Sequence, residues 1–259
     1  MILVFGGTTE GKQAVNVLKT LGLPFIYSTK VKTAIETTTH FEYRFGALTK
    51  AKLEVLITDR TIKTIINASH PFALELHKTI AAVAQKTKTV VLRLERTFPE
   101  RTLHPLVHYV PNYASAITVL NQFQDKRLLA LSGVQSIEKL IPYWKKANTH
   151  FRILDRDSSI AIAKANNFPE SQLILGLPNK TIEEEIAIFK QKNIEIILTK
   201  ESGESGALSI KINAALTYNI PIIILEKPEL PSVFNSIKSE TELKEQLVKM
   251  YNPLLLKKN

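Results

Sequence analysis

Ile2-Leu3-Val4-Phe5-Gly6-Gly7-Thr8-Thr9-Glu10-Gly11 is the stretch whose reading decides the fold. Four consecutive apolar residues predict a strand buried on both faces, and the glycines that follow predict a tight turn. Beyond the turn, Ala14, Val17, Leu18 and Leu21 recur at helical spacing and share one face, and Gly22 then stops the helix. A strand, a glycine turn and a helix in this order are the parts of a dinucleotide-binding unit. Glycine lets the backbone approach a pyrophosphate, and the helix N-terminus stabilises its charge. The spacing departs from G-x-G-x-x-G, and the same glycines would also serve a compact strand-to-helix turn with no ligand.

Working outward, short β-branched runs alternate with longer segments of helical period, the pattern of βαβ units and parallel sheets. Nine strands are expected near residues 2–5, 25–28, 64–68, 89–94, 128–132, 151–154, 172–175, 194–199 and 221–225. Helices are expected over 73–86, over 112–123 after a Pro-Asn start, and over 181–192 with Thr181 as N-cap. The stretch from Arg96 to Pro111 carries Pro99, Pro105 and Pro111 with little periodicity and reads as a linker. The expected division is residues 1–97, binding the dinucleotide, and residues 98–259, a second α/β domain. The Lys-rich end after Pro253 is expected to fray.

Three further polar loops fall at expected strand ends, where ligands bind in open α/β sheets. The second strand ends Tyr27-Ser28-Thr29-Lys30. Two hydroxyls and a cation there suit the 2′-phosphate of NADPH better than an acid would, although a solvated loop with a surface lysine reads the same way. After the third strand comes Asn67-Ala68-Ser69-His70-Pro71-Phe72. His70 could donate to a phosphate, ribose or carboxylate, or simply cap and pack, and Pro71 is expected at the first helical position. In the second half, Thr199-Lys200-Glu201-Ser202-Gly203 offers a charge and donors to an anionic ligand, or else makes a capped turn. Ser132-Gly133 is a weaker version of the same arrangement.

Composition narrows the chemistry. With 44% hydrophobic residues over 259 positions, the chain can bury a substantial core. Zero cysteines exclude disulfides, thiolate metal sites and a cysteine nucleophile, so redox chemistry must be carried by a bound cofactor. The net charge of +10 favours a polyanion. The basic residues are scattered and no nucleic-acid-binding signature accompanies them, so a nucleotide or a small molecule bearing many carboxylates is expected rather than nucleic acid. No apolar run is long enough for a bilayer, and Met1 to Phe5 lacks the start of a signal peptide, which points to the cytoplasm. His40, His70, His77, His104, His108 and His150 form no H-E-x-x-H pattern, Pro105 argues against a helical pair from His104 and His108, and no metal site is expected. Tyr109, Tyr113, Tyr143 and Tyr218 are followed four positions on by Tyr113, Ile117, Ala147 and Ile222, so the Y-x-x-x-K pair of short-chain reductases is absent.

Five pieces in order resemble the precorrin-6A reductase family of cobalamin biosynthesis, including its cobalt-precorrin-6A branch. They are G-G-T-T-E at 6–10, Asn67 to Ala73, Arg93-Leu94-Glu95-Arg96, Thr199 to Gly203, and Ile220-Pro221. Gly176-Leu177-Pro178 departs from the family's G-P-F. The resemblance implies two Rossmann-like domains with mainly parallel sheets, cofactor and substrate in the cleft between them, and hydride transfer from NADPH or NADH to a carbon–carbon double bond of a corrin precursor. It implies cofactor contacts at Gly6, Gly7, Thr8, Thr9 and Glu10, and cofactor or substrate contacts at Ser69, His70, Lys200, Ser202 and Gly203; Ser132, from its place at a strand end, is a further candidate for the substrate. A basic cleft lined by Lys200, His70 and Arg93 would attract the acetate and propionate arms of such a tetrapyrrole. No proton donor is assigned, and a monomer or small homo-oligomer is expected. The rival readings are another NAD(P)-dependent reductase and an NADP-binding sensor without turnover.

Overall fold

A computed structural model describes residues 1–33, 41–123 and 125–251. His40 and the Lys-rich end lie outside the described residues.

Among the described residues there are twelve strands: β1 (Ile2–Phe5), β2 (Phe25–Thr29), β3 (Phe41–Phe45), β4 (Thr64–Asn67), β5 (Val90–Leu94), β6 (Val107–Val110), β7 (Leu128–Ala130), β8 (Thr149–Ile153), β9 (Leu173–Leu175), β10 (Ile196–Lys200), β11 (Ile222–Leu225) and β12 (Phe234–Ile237). The helices between and after them are α1 (Thr9–Thr20), α2 (Lys50–Asp59), α3 (Leu74–Thr87), α4 (Tyr113–Leu120), α5 (Ser136–Lys139), α6 (Ile141–Trp144), α7 (Asp157–Ala165), α8 (Ile182–Lys192), α9 (Leu208–Thr217) and α10 (Glu240–Tyr251). The chain divides into two compact units, one of Met1–Thr97 with Pro228–Asn259 and one of Phe98–Lys227. The expected second domain of residues 98–259 is shortened, because β12 and α10 return to the first unit.

The first unit holds a parallel sheet in the order β3-β2-β1-β4-β5-β12. This is the doubly wound 3-2-1-4-5-6 arrangement, with the sixth place filled from the far end of the chain. β1 is apolar throughout because both of its faces are covered. Ile2 and Val4 pack with Ala14 and Leu18 of α1 and Leu243 and Leu247 of α10. Leu3 and Phe5 pack on the other side with Leu53 of α2 and Ile80 and Val83 of α3.

The second unit repeats the plan as β9-β8-β7-β10-β11-β6, again with every pairing parallel. Its sixth place is taken by β6, the unit's own first strand, which lies inside the stretch expected to be linker. α8 begins with a capping box in which Thr181 accepts from the Glu184 amide and the Glu184 carboxylate reaches back, so the expected N-cap is in place. α3, by contrast, begins three residues later than Pro71, since the chain first turns through His70 to Ala73.

Candidate functional site

In a doubly wound sheet the crevice opens where the strand order reverses, beyond the carboxyl ends of the central strands. In the first unit that point lies between β1 and β4. Gly7 has φ +88, a left-handed conformation natural to glycine, and a Cβ there would meet nothing nearer than 3.9 Å. Gly6 and Gly11 are glycines for packing. A Cβ on Gly6 would lie 2.3 Å from the Tyr27 ring, and one on Gly11 would lie 2.7 Å from the Gly6 Cα. The Tyr27 hydroxyl accepts a 2.9 Å bond from the Gly7 amide. Thr8 caps α1: its hydroxyl accepts from the Gly11 amide at 3.0 Å and donates to the Ala68 carbonyl at 2.6 Å. One side chain therefore ties the β1 turn to the β4 exit. Amides of the first helical turn, including that of Thr9, face the crevice end of α1 with no acceptor available inside the helix. Glu10 is buried and its carboxylate pairs with Arg96 at 3.2 Å. Its side chain thus ties α1 to the β5 exit, and only its backbone is left for the expected cofactor contact.

At the end of β2 the structure brings in a residue the sequence reading missed. Arg44 of β3 donates to the Ser28 hydroxyl and to the carbonyls of Phe45 and Gly46, at 3.2 and 3.1 Å. Partial burial holds its guanidinium pKa below the ordinary arginine value. Of the three residues expected there, Ser28 is buried and seats Arg44, while Thr29 is buried and donates to the Val31 carbonyl at 2.7 Å. Lys30 is exposed. The alternation Phe41-Glu42-Tyr43-Arg44-Phe45 is the signal that could have found Arg44.

The β4 exit is braced from beneath. The Ser69 hydroxyl donates to Asn67 Oδ1 at 2.7 Å and lies 3.2 Å from His77 Nε2, so the imidazole carries its proton on Nε2. Arg93 donates to the Asn67 carbonyl and Oδ1, both at 3.2 Å, and to the Ser69 carbonyl at 2.8 Å. Burial, with Arg93 adding to it, lowers the His77 pKa to about 4. Two expectations change here. Arg93 is fully buried rather than lining a basic cleft, and the Ser69 hydroxyl is directed into this frame. His70 is only partly buried at the crevice side, its Nδ1 accepting from the Phe72 amide at 3.2 Å.

The second unit reverses order between β7 and β10, whose register pairs Ala130 with Leu198. Ser132 and Lys200 each follow two residues later and so stand at the same edge. Ser136 donates to the Gly133 carbonyl at 2.6 Å, which leaves Ser132 to donate to Ser136 at 2.7 Å. Tyr113 lies beside both serines, and burial pushes its pKa up to about 12. Lys139 sits 4.9 Å over the Tyr113 ring. Burial first, and Lys139 second, lower the Lys200 pKa to about 8. Burial alone would raise the Glu201 pKa, but bonds from Arg101 and the Lys227 amide outweigh it and hold it below the usual carboxylate value. Those bonds, a fork from Arg101 with both arms at 3.0 Å and one of 2.8 Å from Lys227, gather the unit's two ends beside β10. Ser202 is buried, and Gly203 turns the chain with φ +72.

Among the described residues, no helix is long and apolar enough to cross a membrane, and no three His, Asp or Glu side chains gather as metal ligands do.

The family model described as precorrin-6x reductase CbiJ/CobK matches residues 1–248. The cobalt-precorrin-6A reductase of Methanocaldococcus jannaschii is 25% identical over 248 residues, 91% of this chain and 94% of that protein. That of Priestia megaterium is 27% identical over 237 residues, 89% of this chain and 91% of its own. The precorrin-6A reductase of Rhodobacter capsulatus is 22% identical over 234 residues, 89% of each. A solved structure described as CobK precorrin-6A reductase shares the fold, with a TM-score of 0.79 at 20% identity over 96% of this chain and 97% of that one. With the family model running from the β1 turn to the last helix, across both sheets, the chain belongs to the precorrin-6x reductase family.

Proposed function

We propose that the chain reduces one carbon–carbon double bond of precorrin-6A or cobalt-precorrin-6A, drawing on NADPH held at the crevice between β1 and β4. The residues there fit a dinucleotide. Gly7 leaves the space a pyrophosphate needs, Thr8 and Thr9 present amides at the start of α1, and the Thr8 cap fixes the turn against the β4 exit. The bound nicotinamide supplies a hydride. His70, partly exposed beside that turn, orients the ligand.

The observation that favours NADPH over NADH is Arg44 seated on Ser28 at the end of β2. An enzyme preferring NADH places an acid there for the ribose hydroxyls, whereas a cation beside the ribose accommodates the 2′-phosphate. Here the strand reads Ser28-Thr29-Lys30 and the guanidinium comes from the neighbouring strand.

The test is anaerobic incubation with precorrin-6A, with and without cobalt, and with each nicotinamide in turn. Cofactor oxidation matched by a mass gain of two hydrogens is the expected result, since reduction adds a hydride and a proton across the double bond. Arg44→Ala should weaken NADPH by roughly tenfold, the scale of a lost charged hydrogen bond, and leave NADH nearly unchanged. Equal losses for both cofactors would reject the assignment of Arg44 to the phosphate.

A further inference from the structure

Most amides around the β1 turn are already engaged inside the protein. Gly6 donates to the Ser28 carbonyl at 3.0 Å and Gly7 to the Tyr27 hydroxyl at 2.9 Å, both acceptors lying on β2. Past the turn, Gly11 donates to the Thr8 hydroxyl at 3.0 Å and Lys12 to the Thr8 carbonyl at 3.2 Å. The Thr8 and Thr9 amides have no acceptor among the described residues. A phosphate meeting this turn therefore finds its donors at Thr8 and Thr9, and the seating of the two glycines on β2 decides where those donors point.

Tyr27 provides that seating through its ring and its hydroxyl together. The residue is 5% exposed, and its ring centroid lies 6.3 Å from those of Phe41 and Tyr43. The three atoms that a Cβ on Gly6 would meet first all belong to Tyr27, the farthest of them at 2.6 Å, and a Cβ on Gly11 would come within 3.0 Å of its hydroxyl. The Gly6 backbone is not left-handed, so conformation alone does not call for glycine there. Gly6 is glycine because Tyr27 lies beneath it. Gly7 is the reverse case: with φ +88 and open surroundings it has freedom to lose, and the Tyr27 hydroxyl holds its amide. Burial raises the Tyr27 pKa above the ordinary tyrosine value, outweighing the lowering effect of the Gly7 bond, so the hydroxyl stays neutral.

We propose that Tyr27 is the positioning residue of the cofactor site: its ring sets how Gly6 and Gly11 pass over β2, and its hydroxyl pins the Gly7 amide so that the Thr8 and Thr9 amides are aimed at the pyrophosphate. This rests on the reading that a dinucleotide binds at this turn. Tyr27 acts through the turn and need not touch the cofactor. A glycine turn fixed before the ligand arrives has less to lose in ordering when it binds. The next residue, Ser28, seats Arg44, so consecutive positions of β2 set the pyrophosphate end and the ribose end of one ligand.

The experiment measures two affinities on the full-length protein by titration calorimetry, one for NADPH and one for adenosine 2′-monophosphate, which has the ribose phosphate and no pyrophosphate. Tyr27→Phe keeps the ring and removes the hydroxyl. It should weaken NADPH by roughly fivefold, the scale of one neutral hydrogen bond, and leave adenosine 2′-monophosphate unchanged. Equal weakening of both would make Tyr27 a packing residue only, and unchanged or tighter NADPH binding would show that the hydroxyl does not aim the turn; either result overturns the proposal. Thermal unfolding tests the ring. Gly6→Ala should lower Tm by roughly 5 °C in the unaltered protein and by much less in a Tyr27→Leu protein, and equal drops would overturn the part given to the ring. If the unaltered protein does not bind NADPH, the dinucleotide reading itself fails, so the two failures are told apart.

Discussion

His77 is neutral inside a polar frame, and that has a cost that depends on pH. Its folded pKa of about 4 lies below the unfolded value near 6.5, so in acid the unfolded chain takes up a proton before the folded one does. The stability from keeping His77 neutral is complete above about pH 6.5 and disappears as pH falls towards 4, a loss of about 3 kcal/mol. Urea unfolding at neutral pH and near pH 4.5 should show this slope, and His77→Gln should flatten it; equal slopes in both proteins would reject the assignment. The same frame marks the limit of reading residues one by one. Asn67, Ser69 and Arg93 were visible as polar residues at a strand exit, but sequence does not tell which way a side chain points. Ser69 and Arg93 face inward and brace the loop that carries His70. Glu10 is the same case, spent on Arg96. Arg44 went unread because it reaches the end of β2 from the neighbouring strand.

Among elements, the β1 turn shows why glycine spacing matters more than glycine count. Gly11 lets α1 close onto the Gly6 backbone, and Gly11→Ala would place a methyl 2.7 Å from the Gly6 Cα, an atom that cannot swing aside. The helix start must then shift, costing about 1–3 kcal/mol and displacing the amides proposed to hold the pyrophosphate. Thermal unfolding together with NADPH titration checks this, with a loss in both expected; an unchanged Kd would place the pyrophosphate elsewhere. Strand legibility followed position in the sheet. The strands read correctly are mostly central ones such as β1, β4, β10 and β11, where both faces are covered and Ile, Leu and Val run without interruption. The three that were missed, β3, β6 and β12, are all at sheet edges. Val107-His108-Tyr109-Val110 and Phe234-Asn235-Ser236-Ile237 bury fewer residues, so their patterns are short and mixed.

For the whole molecule, the contribution of β12 and α10 makes the segment from Pro228 onward indispensable to the first unit. A chain ending at Lys227 would keep the second unit whole and expose the β5 edge of the first, besides removing Leu243 and Leu247 from the core around β1. Such a truncation is expected to abolish NADPH binding and leave a smaller cooperative unfolding transition, measurable by calorimetry. Retention of full cofactor affinity would show that the first unit does not need them. No local pattern could reveal this return, because strand partners distant in sequence leave no periodic trace.

The borrowed sixth strand also imposes an order in time. As the chain leaves the ribosome, residues 1–97 emerge first but must wait with the β5 edge open, while the second unit, contiguous from Phe98 to Lys227, can close as soon as it is made. The unit proposed to bind the nucleotide, first to be synthesised, is the last to be finished, so a nascent chain is expected to bind that cofactor tightly only after the segment carrying β12 has emerged.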